Sequence, residues 1–218
     1  MKQIAIYGAS GCGRGVMPIA RKQWLASGEP HQLVFVDDNP SRMGVNGHAV
    51  ISYDEWLDRP GSNHLMNVAI ANGSIRQSLV ERCIADGVDF FEIRASNVVQ
   101  LDAVTLGDGA ILSPFVTLTS NIRIGHHFHA NLYSYVEHDC ILGDYVTFAP
   151  GVKCNGNVII EDHVYVGSGA VIKQGQPDRP LVIGRNATIG MGAVVTKNVL
   201  PNSVVVGNPA ELYLKAIS

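Results

Sequence analysis

Leu106-Gly-Asp-Gly-Ala-Ile-Leu112-Ser-Pro-Phe-Val-Thr-Leu118 opens a stretch, 104–175, whose spacing decides the fold. Counted in sixes, it puts Leu106, Leu112, Leu118, Ile124, Ala130, Val136, Leu142, Phe148, Cys154, Ile160, Val166 and Ile172 in one column. Four residues behind each stands a second, mostly small residue: Ala110, Val116, Ile122, Phe128, Ser134, Cys140, Val146, Val152, Val158, Val164 and Ala170. Directly after the column a glycine or an acid recurs, at Gly107, Gly125, Glu137, Gly143, Glu161 and Gly167. A period of six fits neither the helix repeat of 3.6 nor a simple alternating strand. Fixed hexapeptides mark a parallel β-helix instead, a stack in which each repeat is one rung. Three hexapeptides close a triangular coil, so residues 18 apart share a face. The column points inward and the small residue fills the corner. Ile122 and Phe128 exceed that slot and predict a local swelling of the core.

The period breaks once, between Ile172 and Ile183, where Gln174-Gly-Gln-Pro-Asp-Arg-Pro180 supplies five extra residues. Its glycine and prolines suit an exposed loop over 174–181. Ile183, Ile189 and Val195 resume the column, with Ala187, Ala193 and Val199 behind them. Pro201-Asn-Ser then turns the chain into Val204-Val-Val-Gly-Asn-Pro-Ala210, and a short last helix is expected over Leu212 to Ile217.

Upstream the pattern is different. Gln3 to Tyr7 is a buried strand, followed at once by Gly8-Ala-Ser-Gly-Cys-Gly13. A helix with Val16, Ile19, Ala20 and Leu25 on its apolar face ends near Gly28, and Leu33 to Val36 is a strand stopping at Asp37-Asp38. Strand, glycine turn, helix, strand, acid is the first half of a nucleotide-binding α/β unit. Glycines let the backbone approach a phosphate, and the helix N-terminus offers free N–H groups. The order Gly-x-x-Gly-x-Gly differs from the dinucleotide fingerprint and argues against a dehydrogenase. Tyr53 to Leu57 predicts a short helix and Asn67 to Ala71 a third strand. Ser74 and Gln77 stand at capping-box spacing before a helix with Ile75, Leu79 and Cys83 on one face. The expected organisation is a Rossmann-like α/β half domain over 1–95, with room for one nucleotide, and a parallel β-helix over 96–218.

With 218 residues, 46% of them hydrophobic, the chain can build such cores, and a formal charge of −3 gives no reason to expect nucleic acid. The four cysteines contain no Cys-x-x-Cys and suit reduced thiols. No apolar run approaches a membrane span and Met1-Lys2 leads straight into a strand, so a cytoplasmic protein is expected.

The rungs, the extruded loop and the Val-x-Val-Gly-Asn-Pro-Ala ending resemble the hexapeptide acyltransferases, whose fold is a left-handed β-helix trimer. Together with Ile-Tyr-Gly-Ala-Ser-Gly-x-Gly-Arg at the start, they resemble one bacterial family over essentially the whole chain. It holds sialic acid O-acetyltransferases and N-acetyltransferases acting on the nucleotide-linked 4-amino sugars of bacillosamine and perosamine synthesis. The resemblance implies His138 as the catalytic histidine, Asp139 as its acid, Gly156 one coil on as donor to the thioester carbonyl, and Asn131 near the sugar. It implies a nucleotide held by Gly8, Ser10, Gly11 and Gly13, with Asp37 and Asp38 near base and ribose. Acetyl-CoA is then expected along Gly167, Ser168, Ala170, Met191, Gly207 and Pro209. Relatives often carry a basic residue where this chain has Glu211, so Lys173, Arg185 or Lys197 must meet the CoA phosphates.

Chemistry supports that placement. Acetyl transfer needs a base for the nucleophile's proton and a donor for the oxyanion. Histidine titrates near neutrality and suits the first task. A neighbouring carboxylate, Glu137 or Asp139, can hold its tautomer, and the bare backbone of Gly156 suits the second task. The expected reaction is direct attack in a ternary complex, N-acetylating a 4-amino-4,6-dideoxy sugar in a homotrimer, with O-acetylation of sialic acid as the alternative. Two other classes compete. His127 and His163 share a rung position two coils apart, as in β-helices that hydrate carbon dioxide on zinc. A third ligand is missing, because Ser168 stands where that pattern needs it, and His126 and His129 suit the surface. A non-catalytic sugar-nucleotide module would keep the repeat but has no need of Glu-His-Asp.

Overall fold

The computed structural model describes residues 1–38, 44–61 and 63–213. From Ile93 onward the chain winds through three parallel sheets whose strands are two or three residues long. The first face carries Ile93–Arg94, Ile111–Leu112, His129–Ala130, Thr147–Phe148, Tyr165–Val166, Thr188–Ile189 and Val204–Val206. The second carries Val99–Gln100, Thr117–Leu118, Tyr135–Val136, Lys153–Cys154, Val171–Ile172 and Val194–Val195, and the third runs from Val104–Leu106 to Leu181–Ile183. Register advances by 18: Thr117 pairs with Tyr135, Tyr135 with Lys153, and Lys153 with Val171. Across the loop Ile160 pairs with Ile183, a step of 23, so the five extra residues leave the coil and the pairing resumes unchanged. Column and slot residues form one continuous buried cluster.

The corners explain how so short a repeat turns. A residue with positive φ recurs at the same point of each coil, at Asn121, Asp139 and Asn157 on the second-to-third corner, and at Gly109, His127, Tyr145 and His163 on the third-to-first. Asn and Asp tolerate the left-handed region better than other residues with a Cβ. At the oversized slot, the Phe128 ring meets Phe148 edge-on at 5.3 Å between centroids. The column residue of the same rung is Ala130, which leaves the space that Phe128 fills.

The N-terminal sheet has the order β3-β4-β2-β1-β5-β6, with β1 Lys2–Tyr7, β2 His31–Val36, β3 Gly44–Val45, β4 His48–Ile51, β5 His64–Val68 and β6 Asp89–Phe90. Helices α1 (Gly11–Ser27), α2 (Tyr53–Leu57) and α3 (Gly73–Ala85) complete it. The third strand therefore begins three residues before its expected start and ends at Val68, leaving 69–72 as a turn. Asn72, not Ser74, caps α3, accepting from the Ile75 N–H at 3.0 Å. Its buried stripe is Arg76, Val80 and Cys83, while Ile75 points to solvent. On α1 the same shift buries Met17 and Trp24 and exposes Leu25. In both helices a polar or aromatic contact with neighbouring elements outweighed the aliphatic pattern. The end of the chain differs too: Glu211–Leu212 is a strand antiparallel to Val204–Val206, Tyr213 N donates to Val204 O, and 214–217 of the expected last helix lie outside the described residues.

Two buried polar side chains join the sheet to the coil. The Asn67 amide donates to Phe91 O at 2.8 Å and to Gly109 O and Ala110 O at 3.2 and 3.3 Å. Arg76, fully buried, donates to Ile70 O at 2.6 Å on one side and to Tyr145 O and Thr147 Oγ1 at 2.7 and 3.0 Å on the other. Buried polar groups are tolerated when bonded in this way, and they fix register where apolar contacts alone could slide.

Candidate active site

His138 sits two residues past the rung Tyr135–Val136, where the chain turns from the second face to the third. The next coil grips its backbone: the Asn157 N–H donates to His138 O at 3.0 Å. Asp139 occupies the left-handed corner position (φ 59°), and its Oδ2 lies 2.8 Å from His138 Nδ1. Of the two candidate acids, Asp139 therefore orients the ring. That bond keeps the proton on Nδ1 and leaves Nε2 as the acceptor, the arrangement a general base requires. The two side chains are 43% and 48% exposed, open enough to meet a substrate.

Gly156 lies directly beside the ring. A Cβ there would fall 2.5 Å from His138 Cε1 and 2.6 Å from Nε2, so only glycine admits this approach. Among the described residues the Gly156 N–H donates to no backbone acceptor. Tyr135 and Asn155 brace the spot, with Tyr135 Oη donating to Asn155 Oδ1 at 2.9 Å and Asn155 Nδ2 to Ile172 O at 2.8 Å. The repeat of 18 sets His138 and Gly156 side by side, and neither residue of that brace is part of the repeat signal.

The glycine turn is elsewhere. Gly13 packs so tightly under Gly8 that a Cβ would fall 1.8 Å from Gly8 O, which seats α1 against β1. Ser10 is the N-cap but makes no side-chain cap bond, and Gly11 faces open space. Asp37 accepts from the Ala9 N–H at 2.9 Å, while Asp38 takes the Tyr7 hydroxyl at 2.7 Å. Both acids thus shape the turn. A cavity of about 690 Å³ opens between α1 and the first-to-second corner of the coil, lined by Gly11, Cys12, Gly15, Ala71, His129, Asn131 and Ser168 among others. It lies at the carboxyl ends of β1 and β5, beside the point where strand order reverses, the usual crevice of an open α/β sheet. Gly11, Asn131 and Ser168 line it; Gly8, Ser10, Gly13, Asp37 and Asp38 are not among its lining residues.

The remaining candidates divide between two corners. Gly167, Ser168, Ala170 and Met191 stand on the first-to-second corner, with the Gly207-Asn208-Pro209 tail beside Val194: Val194 N donates to Gly207 O, and Ala210 N to Val194 O. Met191 is 82% exposed. Lys173 follows Val171–Ile172 on the opposite edge of the second face, 18 residues past Asn155 and on the side of His138. One chain therefore does not gather the glycine turn, the Met191 corner and His138 around a single cavity.

The two histidines read as a metal pair lie in a stack. His127, Tyr145 and His163 form a ladder of parallel rings, 5.3 and 5.2 Å apart, so the Tyr145 ring separates the two histidines read as a metal pair. His126 is exposed as expected, but His129 is buried behind the cavity wall. The residue that sequence reasoning passed over is Arg76. A lone arginine in an amphipathic helix carries no signal of burial until the coil is docked on it.

Comparison with known proteins adds identity to this geometry. Residues 3–83 match the family model described as PglD N-terminal domain, and 157–197 that of the hexapeptide repeat of succinyl-transferase. The chain is 53% identical to the GDP-perosamine N-acetyltransferase of Escherichia coli O157:H7, over 96% of both chains. Among solved structures, WeeI from Acinetobacter baumannii AYE superposes with a TM-score of 0.95 at 52% identity, covering 98% of this chain and 100% of that one. A histidine-to-asparagine variant of perosamine N-acetyltransferase from Caulobacter crescentus, in complex with CoA and GDP-perosamine, superposes at 0.87 with 26% identity over 97% of each.

Proposed function

We propose, from the premise that this chain belongs to the nucleotide-amino-sugar N-acetyltransferases with hexapeptide-repeat coils, that its acceptor is a GDP-linked 4-amino-4,6-dideoxy sugar of the perosamine kind. The enzyme transfers acetyl from acetyl-CoA to that amine. The single observation that carries the mechanism is that His138 is paired with Asp139 through Nδ1 and closely approached by the side-chain-free Gly156 one coil on. Nε2 takes the proton as the amine attacks the thioester carbon, the Gly156 N–H receives the developing oxyanion, and collapse expels the CoA thiolate, to which the imidazolium returns the proton. No side chain is acylated.

The acceptor lies with its nucleotide in the 690 Å³ cavity, phosphates toward the N-terminus of α1 and sugar toward Asn131. CoA runs past Gly167, Ser168, Ala170 and Met191 to the Gly207–Pro209 tail, with Lys173 for a phosphate. Because His138 and the cavity occupy opposite edges of the second face, the working unit is a cyclic trimer in which His138 of one subunit meets the cavity of the next. The compartment we assign is the cytoplasm; among the described residues no helix is long and apolar enough to cross a membrane.

The test is a thiol-release assay with acetyl-CoA against GDP-, UDP- and dTDP-linked amino sugars and free sialic acid. Turnover with the GDP-linked 4-amino sugar alone is expected; turnover only with sialic acid overturns the acceptor assignment. In the same assay His138→Ala lowers kcat by roughly 10²–10⁴, and near-normal turnover by that variant removes His138 from the mechanism.

A further inference from the structure

The cavity that takes the acceptor presents an electrostatic problem. A nucleotide-linked sugar carries two negative phosphates, yet among the described residues no Lys or Arg lines the cavity. Backbone N–H groups at α1 supply partial charge only. One formal positive charge stands directly behind the wall. Arg76 is 0% exposed and bonds to Ala71 O at 3.4 Å, His129 Nδ1 at 3.4 Å and Thr147 Oγ1 at 3.0 Å, and each of those three residues lines the cavity. All its hydrogen-bond partners are neutral.

We propose that Arg76 is the positioning and specificity-determining cation of the acceptor site: it holds Ala71, His129 and Thr147 in place as the wall and attracts the diphosphate through it. This rests on the reading that the cavity binds the nucleotide-linked sugar. A charge held in a low-dielectric wall is screened less than one at the surface, and among the described residues no carboxylate lines the cavity to pair with it. Placing it behind the lining keeps the diphosphate selected by charge without a side chain that must be desolvated at each binding event.

Two features agree. Burial pushes the Arg76 guanidinium down only to about 10, so it stays charged at neutral pH. His129 is held far below the usual imidazole range, first by burial and then by Arg76, so it stays neutral and accepts the guanidinium N–H at Nδ1. The field also reaches the glycine turn: burial raises the thiol of Cys12, which lines the cavity, and Arg76 opposes that rise.

The experiment compares Arg76→Lys, which keeps the charge, with Arg76→Met, which keeps much of the volume. Arg76→Met is expected to raise the KM for the nucleotide sugar roughly tenfold to a hundredfold, with kcat and the KM for acetyl-CoA nearly unchanged, and Arg76→Lys to stay within a few-fold of the parent. Equal losses in both variants overturn the electrostatic role and leave Arg76 a packing residue. The alkylation rate of Cys12 against pH provides an independent readout, in a background with the other three cysteines replaced by Ala or Val. Its midpoint moves upward in Arg76→Met and not in Arg76→Lys; no movement overturns the proposal even if the acceptor is something else. If Arg76→Met does not fold, calorimetry on the parent enzyme decides with GDP against guanosine: binding tighter by two orders of magnitude for GDP supports a cation behind the site, and equal binding overturns it. Should the parent enzyme bind neither, the acceptor reading has failed and with it the proposal that Arg76 serves it.

Discussion

At the scale of single residues, Gly156 is the most informative position, because its role can be separated from that of folding. In Gly156→Ala the new methyl falls 2.5–3.0 Å from three atoms of the His138 ring. The ring is exposed at the end of a short side chain and can swing away, but only by leaving Asp139. The coil backbone is untouched, so the variant is expected to melt within a few degrees of the parent. A misplacement of this size costs roughly 10² in rate, so kcat is expected to fall about a hundredfold with KM values nearly constant. Parent-like turnover by Gly156→Ala would show that the contact has no part in the reaction. The juxtaposition of His138 and Gly156 was legible in the sequence because they stand 18 residues apart in the repeat, while the roles proposed for them came from the family resemblance. The choice of Asp139 over Glu137 was not, since it depends on the left-handed corner that turns the carboxylate back onto Nδ1.

At the scale of elements, the coil was legible almost residue by residue, since one inward position in six leaves a strong imprint on composition. The helices were less so. Their apolar faces are set by what docks on them, and Arg76 on α3 is buried only because Tyr145, Thr147 and His129 of the coil supply its acceptors and close over it. The histidine ladder at the third-to-first corner has a measurable consequence. His127 is 4% exposed, and burial, then Arg76, lower it from 6.5 to about 4. The unfolded chain takes up this proton near pH 6.5 and the folded chain does not until about 4. The stability tied to a neutral His127 is therefore fully present above pH 6.5 and lost as the pH falls toward 4, by up to about 3 kcal/mol at 1.36 kcal/mol per unit. His129 acts in the same direction. His127→Asn, which keeps a residue suited to φ 54°, removes one such proton. Chemical denaturation at pH 7.5, 6, 5 and 4.5 should give a shallower decline for His127→Asn than for the parent. Parallel curves would mean that His127 is already protonated in the fold.

At the scale of the whole molecule, the geometry that separates the cavity from His138 makes the assembly itself testable. The cavity lies at one edge of the second face and the histidine at the other, so in the proposed trimer each chain contributes to two different sites. In a cyclic trimer each site takes His138 from one subunit and the cavity from its neighbour. Two inactive variants then complement each other. His138→Ala loses the base, and Gly15→Trp projects a bulky ring into the cavity from an exposed helical position where a Cβ meets nothing within 4 Å, so the fold tolerates it. Mixed in equal amounts, denatured together and refolded, the chains assemble at random. A given site has an intact histidine with probability one half and an intact cavity with probability one half, so about a quarter of the parent's specific activity returns. If both groups served the same site within one chain, every site would stay defective and no activity would return. Light scattering on the refolded mixture distinguishes this outcome from failed assembly, since the proposed intersubunit site predicts three chains per particle in every active fraction.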